Sequence, residues 1–214
     1  MDAARVIAEI AMPRRKVKPN FTPYHVLKAL MIISRAPAGR PKLREELKLG
    51  DASTRTLLKR LKEAGLVRSF RPTGTELTEK GREVLKELLN NLIVLGKVEH
   101  GNICSNCTTA AVVLRKAMDV LKGTGVIKVR DLVVKQGAEG ALILLVDSKG
   151  RILMPLQKGE VPFTDPLASD IMRKVPLEEG DVILVAMCNP HDEFCTEYVV
   201  NAAIAVLKRG RRDA

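Results

Sequence analysis

The chain lacks several features that would place it in a common class of protein. Its longest purely aliphatic run, residues 141–146, is far shorter than the roughly 20 residues of a membrane-spanning helix, so we expect a soluble protein. Asp2 and Glu9 stand where a secretory signal would carry no acids, which favours a cytoplasmic location. Gly137 and Gly140 match neither a dinucleotide-binding nor a nucleotide-binding loop.

Acidic residues are scarce in the first half of the chain. Residues 1–90 carry 20 Lys and Arg against 10 Asp and Glu, a net charge of +10, whereas residues 91–214 carry 16 against 15, a net charge of +1. A basic surface of the thermophile type would pair its cations with acids, and the first half lacks enough of them. The asymmetry therefore predicts that the first half binds a polyanion, with nucleic acid as the preferred candidate.

Three helices are predicted in the first half. Apolar residues recur at helical spacing over residues 22–34. Pro41 can open a second, short helix, and Asp51 can cap a third helix, which Gly65 ends. A basic arm over residues 1–20, with room for one short helix, precedes them.

A two-stranded hairpin is predicted after the third helix. Residues 66–71 alternate between apolar and polar side chains, residues 72–74 have turn chemistry, and residues 75–77 return. Thr78 can cap the helix that follows. Three helices and a hairpin wing make up the winged helix that we predict for residues 21–92.

The outer face of the third predicted helix carries small hydroxyl side chains near its start and Arg and Lys further along. Such a helix suits insertion of its first turns into the major groove of DNA. Arg55 is predicted to recognise guanine through two hydrogen bonds, and Lys59 and Arg60 to bind phosphate. The predicted DNA-binding set, wing included, is Lys42, Ser53, Thr54, Arg55, Thr56, Lys59, Arg60, Arg68, Arg71 and Thr73.

This part of the chain resembles prokaryotic, especially archaeal, winged-helix transcriptional regulators. The resemblance rests on the motifs LREEL at 43–47, LKEAGLV at 61–67 and LTEKG at 77–81, with Ser53 and Thr56 between the first two. It covers about residues 21–91 and implies sequence-specific binding of duplex DNA, usually by a dimer. The whole chain also resembles an archaeal group that joins this domain to a small C-terminal domain of uncharacterised role.

The second half, residues 95–214, is predicted to form an α+β sandwich in which helices cover a small mixed sheet. We expect this domain to dimerise or to sense a signal. Its predicted helices span 105 or 108 to 121, 130–136, 167–175 and 193–208, and its predicted strands span 126–129, 140–147, 151–156 and 181–188.

Four cysteines and two histidines occur in two short segments of this half, with the spacings His-x3-Cys-x2-Cys and Cys-x2-His-x3-Cys. One alternative is structural zinc held by Cys104, Cys107 and two of Cys188, His191 and Cys195. A second is disulfide bonding, either of Cys104 with Cys107 or as one bridge per pair across the two segments. A third is free thiols, one of them an oxidant sensor at a helix start. All three bring the two segments near each other or place them at helix starts.

These observations together predict a sequence-specific, duplex DNA-binding transcriptional regulator that has no catalytic residues. Two other functions are kept as alternatives: a chromatin protein that binds duplex DNA without sequence preference, and a thiol- or metal-dependent enzyme or redox sensor that uses the winged helix for docking. The expected partners are double-stranded DNA and a second copy of the chain. A small-molecule effector is left open, and zinc is the one cofactor considered.

Overall fold

The computed structural model describes residues 2–14, 18–70 and 73–210, and the chain divides into two units, residues 1–89 and 90–214. The architecture is α+β, as predicted. Within the described ranges, no helix is both long enough and apolar enough to cross a membrane.

The first unit combines helices with a small antiparallel hairpin, in the order that we predicted. Its elements are α1 (Ala3–Ala11), α2 (Pro23–Arg35), α3 (Arg40–Leu47), α4 (Asp51–Glu63), β1 (Val67–Phe70), β2 (Gly74–Leu77) and α5 (Glu79–Asn91), the last of which runs past the division at residue 89.

Helix α1 is a packed element of this unit. Its apolar face is buried, with Ile7 and Ile10 almost inaccessible to solvent, and it contacts α2 and α4. Residues 3–11 of the segment that we predicted as a basic arm therefore belong to the folded unit, and residues 15–17 lie outside the described ranges.

Local signals set the ends of α4 and α5. Gly50 is the N-cap of α4 and Asp51 is its first residue, so our assignment of Asp51 as the cap was wrong by one position. Thr78 does cap α5, because its hydroxyl accepts from the Gly81 N–H at 3.0 Å. Gly81 is required for packing, since a Cβ there would overlap the Leu66 carbonyl oxygen.

The hairpin is tied to the chain that precedes α3. Ala38 and Thr75 exchange two backbone hydrogen bonds of 3.0 Å and form a short antiparallel bridge. This bridge fixes the hairpin beside the start of α3, in front of α4.

The second unit is built on a six-stranded sheet in the order β3-β4-β8-β5-β6-β7. Every pair in it is antiparallel, so the predicted mixed sheet was wrong. The strands are β3 (Leu92–Lys97), β4 (Thr108–Leu114), β5 (Gly140–Val146), β6 (Ile152–Pro155), β7 (Glu160–Pro162) and β8 (Val182–Cys188), and the helices are α6 (Met118–Thr124), α7 (Val126–Gln136), α8 (Pro166–Lys174) and α9 (Cys195–Gly210).

Helices cover both faces of this sheet, as the predicted sandwich requires. Alternate residues of β8 point to opposite faces. Ile183 and Val185 pack in a cluster with Leu167 and Ile171 of α8, whereas α6, α7 and α9 pack against one another, and α9 also contacts β4 and β8. Because both faces are covered, β8 is buried along almost its whole length.

Two element predictions in this unit were wrong. Residues 108–114 form β4, where we predicted a helix, and residues 126–129 are the first turn of α7, where we predicted a strand. A continuous apolar run does not distinguish a strand buried on both faces from a buried helix. In α7 the helical spacing of Val129 and Val133 outweighs the β-branched composition.

Candidate nucleic-acid interface and cysteine cluster

A groove of about 420 Å³ lies between α4 and the hairpin of the first unit. One wall comes from α4, the opposite wall from β1 and β2, and one end from the residues that begin α3. We call it the α4–hairpin groove. The cationic side chains that line it, all exposed, are Arg40, Arg55, Lys59 and Lys62.

The cations of this groove are only loosely held by acids. Asp51 lies 3.2 Å from Arg40 and 3.1 Å from Arg55, whose side chain is 69% exposed. Lys59, at 76% exposure, lies 3.9 Å from Glu63. Exposed ion pairs contribute about 1 kcal/mol or less, so a polyanion can replace these acids at small cost.

The hairpin adds one cation and one aromatic ring beside the groove. The Arg68 guanidinium lies 4.8 Å from the centre of the Phe70 ring, and 3.9 Å separates it from the Glu76 carboxylate. Phe70 lines the groove and is 45% exposed. Thr73 is exposed, while Arg71, which we predicted as a wing contact, lies outside the described residues.

A smaller recess of about 220 Å³ lies at the start of α4. Ser53 and Thr56 border it together with Lys18 and Arg14, and Arg14 is ion-paired with Glu63. Three residues of the predicted set, Ser53, Thr56 and Arg60, therefore line a second basic recess. The predicted residue Lys42 is exposed on α3.

Arg60 is the main correction to the predicted set. We expected it to bind phosphate, but the side chain is buried and donates hydrogen bonds of 2.7 Å to the carbonyl oxygens of Ile10 and Met12. Its guanidinium also lies 5.3 Å from the centre of the Phe21 ring. Burial, and then the nearby charge of Arg14, lower the pKa of Arg60. This arginine joins α4 to the end of α1, and it is buried and not exposed in the α4–hairpin groove.

Thr54 is the second correction. It is fully buried, and its hydroxyl donates to the Gly50 carbonyl oxygen at 3.0 Å. The adjacent Arg55 points outward, as the helical repeat requires.

Two cations of the groove, Arg40 and Lys62, are absent from the predicted set. Lys62 follows Arg55 by seven positions, and the helical repeat places both on or near the outer face of the helix, although the predicted set includes only Arg55. Arg40 reaches the groove because the Ala38–Thr75 bridge holds the start of α3 against the hairpin. No sequence signal identifies that bridge.

In the second unit the cysteines pair within each segment. Cys104 is joined to Cys107 with Cα atoms 6.1 Å apart, and Cys188 is joined to Cys195 with Cα atoms 5.9 Å apart. Thr108, which follows Cys107, is the register partner of Cys188. The two segments therefore meet at one end of the sheet, as expected, although no bridge crosses between them.

The predicted zinc ligand set is not assembled. Cys188 and Cys195 are buried and bonded to each other. His191 is exposed in a turn, where its backbone N–H donates to Asn189 Oδ1 at 3.2 Å. Instead, His100 joins Cys104 and Cys107, with ligand atoms that all lie within 4.8 Å of one another.

Known proteins resemble this chain in both units. Two family models match it. The PH0730-like N-terminal domain matches residues 25–83, and a domain of unknown function, DUF4443, matches residues 105–206. Among solved structures, the hypothetical protein PH0730 from Pyrococcus horikoshii OT3 is 24% identical with a TM-score of 0.61, over 91% of this chain and 95% of that one. A comparison with curated proteins finds no match.

These matches support the resemblance to an archaeal group of two-domain proteins. At this level of identity, the structural likeness shows that the fold is shared. It does not extend to an activity.

Proposed function

We propose that the first unit is a winged-helix domain that binds duplex DNA with sequence specificity, and that the protein is a transcriptional regulator without catalytic residues. The α4–hairpin groove carries the proposal, because exposed cations from α3 and α4 converge there opposite the hairpin. In this arrangement the first turns of α4 enter the major groove and the hairpin lies along the phosphate backbone.

Arg55 is the residue that we propose for base recognition. It stands in the second turn of α4, it is 69% exposed, and its partner is an exposed aspartate four residues earlier. A guanidinium can donate two parallel hydrogen bonds to guanine O6 and N7. Lys59 and Lys62 lie further along the same wall, where phosphate is the expected partner.

The charge of the first unit supports a nucleic-acid partner. Residues 1–90 carry a net charge of +10, against +1 for the rest of the chain. A protein that makes about six to ten phosphate contacts loses roughly 10³ to 10⁵ in affinity between about 50 and 200 mM salt. We expect a salt dependence of this size.

For the second unit we propose dimerisation, with sensing of an effector as the remaining role. Ile127 is 71% exposed and Val134 36% exposed on α7, and their spacing of seven residues places both on one face of the helix. Two copies joined in this way would present two winged helices to two half-sites of an operator. A cytoplasmic location goes with this role.

The test begins with selection of bound sequences from a random duplex pool. Fluorescence anisotropy then compares wild type and Arg55→Ala on the selected duplex and on a scrambled one. We expect Arg55→Ala to weaken binding to the selected duplex by about 1 to 3 kcal/mol more than it weakens binding to the scrambled duplex. The matched control is Arg82→Ala, which removes an exposed arginine of the same unit that lines a different recess. Arg82→Ala should bind both duplexes nearly as tightly as wild type.

Two outcomes would contradict the proposal. A pool that yields no motif, with equal binding to every duplex, would favour the chromatin protein without sequence preference. Equal losses for Arg55→Ala on both duplexes would remove its role in base recognition.

A further inference from the structure

Among the described residues, one group of side chains could hold a metal ion: His100, Cys104 and Cys107, in the connection between β3 and β4 of the second unit. We propose that the reduced protein binds one Zn²⁺ ion through the Nε2 atom of His100 and the thiolates of Cys104 and Cys107. Formation of the Cys104–Cys107 disulfide then releases the ion. The residues of this site belong to the second unit, whereas those of the proposed DNA-binding surface belong to the first.

The positions of the ligand atoms suit a tetrahedral ion. Zinc–sulfur and zinc–nitrogen bonds of about 2.3 and 2.0 Å place neighbouring ligand atoms roughly 3.5 Å apart. The Nε2 atom of His100 lies 3.6 Å from the Cys107 sulfur. All three ligand atoms lie within 4.8 Å of one another, so a small shift of Cys104 away from Cys107 completes the set once their bond is reduced.

The backbone around His100 is fixed by two carboxylates at α8. The Glu99 N–H donates to Asp170 at 2.9 Å, and the Gly101 N–H donates to Asp165 at 2.9 Å. These bonds hold the backbone on both sides of the histidine before any ion binds. A ligand that is already positioned loses less conformational entropy on binding.

The segment that carries Cys107 is anchored as well. Val98 and Thr109 are joined by the Val98 N–H, which donates to the Thr109 carbonyl oxygen at 3.1 Å, and by the Thr109 hydroxyl, which donates back at 2.6 Å. Cys107 directly precedes β4 and is therefore held near the same point. Cys104 lies outside the helices and strands and has more freedom to adjust.

The surroundings of the imidazole suit coordination through Nε2. Its Nδ1 lies 3.2 Å from the Gly101 carbonyl oxygen, and its Nε2 lies 3.2 Å from the Cys107 carbonyl oxygen. A neutral imidazole has one N–H, so only one of these contacts is a hydrogen bond at a time. Donation from Nδ1 to Gly101 leaves the lone pair of Nε2 free, and zinc-bound histidines typically donate their other N–H to such a carbonyl.

The partial burial of the three ligands leaves a fourth coordination position for water. His100, Cys104 and Cys107 are all half-buried, whereas Cys188 and Cys195 are enclosed in the core and paired with each other. Three protein ligands with an open fourth position distinguish an exchangeable site from a closed structural one.

Release of the ion is a balanced thiol–disulfide exchange. A small disulfide such as oxidised glutathione accepts two electrons from the two thiolates, its own S–S bond breaks, and it takes two protons from solvent to become two thiols. The Cys104–Cys107 bond forms in the same reaction, and Zn²⁺ leaves to water because a disulfide sulfur is not a thiolate ligand.

The experiment uses the full chain, purified with reductant and without chelator. Elemental analysis should find one zinc per chain, and Co²⁺ in its place should give the visible absorption of a tetrahedral thiolate site. Oxidised glutathione should release the ion. His100→Ala and Cys104→Ser should each weaken binding by more than about 100-fold. His191→Ala is the matched control, because it removes the exposed histidine of the other cysteine segment, and it should bind like wild type.

Circular dichroism of each variant shows whether it is folded. The proposal is overturned if reduced, folded wild type takes up no zinc at micromolar concentration. It is equally overturned if Cys104→Ser retains the ion, or if His191→Ala loses it to the same degree as His100→Ala.

Discussion

The two units of this protein differ in the kind of element that carries their candidate ligand-binding side chains. In the first unit, with its net charge of +10, the candidate ligand-binding side chains project from helix α4 into an open groove. In the second unit, with a net charge close to zero, the candidate metal ligands lie in a connection that the carboxylates of Asp165 and Asp170 hold in place. A site on a helix face follows from helical spacing, whereas a site in a connection depends on contacts distant in sequence.

Arg60 is an exception on α4, because this arginine is buried and stabilises the fold and does not project into the groove. Arg60→Ala removes two hydrogen bonds from a charged donor, to Ile10 and Met12, and leaves both carbonyl oxygens without it. At about 1.5 kcal/mol for each such bond, we expect a loss of about 3 kcal/mol in the free energy of unfolding of the first unit. Hydrogen exchange followed by mass spectrometry measures the loss separately for each unit.

Lys59→Ala is the matched control for this prediction, because it removes the neighbouring cation, whose side chain is exposed in the groove. It should weaken DNA binding and leave stability nearly unchanged, while Arg60→Ala should do the reverse at temperatures where it is folded. If Arg60→Ala proves as stable as wild type, the structural role assigned to Arg60 is wrong.

Much of the first unit could be predicted from the sequence because its signals are local. Pro41, Gly65 and Thr78 mark the ends of helices, and helical spacing separates buried from exposed positions. The burial of Arg60 could not be predicted, since its partners lie about 50 residues earlier, at the end of α1. The pattern of α4 alone gives no sign that α1 packs there.

The second unit was harder to predict because its sheet is covered on both faces. The alternation that identifies a strand disappears in β4, which is apolar along most of its length. The surroundings of His100 were equally hidden, because Asp165 and Asp170, which anchor its neighbours Gly101 and Glu99, follow it by more than 60 residues. The cysteine spacing did identify the two segments, but it could not show that His100, and not His191, lies beside Cys104 and Cys107.

Asp170 tests the claim that a buried carboxylate organises the second unit. The hydrogen bond from the Glu99 N–H, followed by Lys174 and Arg173, lowers its pKa from 3.8 to about 2 although burial opposes this. The folded-state pKa lies below the unfolded one, so the stabilisation is complete above pH 4 and is lost as the pH falls towards 2. The shift corresponds to about 2 kcal/mol of unfolding free energy.

Asp170→Asn should therefore have a lower free energy of unfolding than wild type at pH 6. The difference between the two proteins should disappear as the pH falls from about 4 to about 2. Urea unfolding at a series of pH values measures it, with Asp119→Asn, an exposed carboxyl of α6, as the control. If the difference in free energy of unfolding between wild type and Asp170→Asn is the same at pH 6 and pH 2, the charge of Asp170 does not stabilise the second unit.

Asp51 offers the smallest effect and the sharpest test of the groove. Its carboxylate pairs with Arg40 and Arg55 together, so Asp51→Asn frees both guanidiniums and removes one negative charge from the DNA-binding surface. An exposed pair contributes about 0.5 to 1 kcal/mol, which corresponds to a gain of roughly 2- to 5-fold in affinity for duplex DNA. The helix itself should lose only about 0.5 kcal/mol, because Asp51 also faces the positive end of the α4 dipole.

Anisotropy at low salt measures this gain, and Glu79→Gln is the control, because it removes an exposed acid from the first turn of α5, which does not line the groove. Both variants raise the net charge of the unit equally, so a gain confined to Asp51→Asn would locate DNA in the groove. Equal gains in affinity would mean that DNA binding responds to the overall charge of the unit. The assignment of the groove as the DNA-binding site of the first unit would then be wrong.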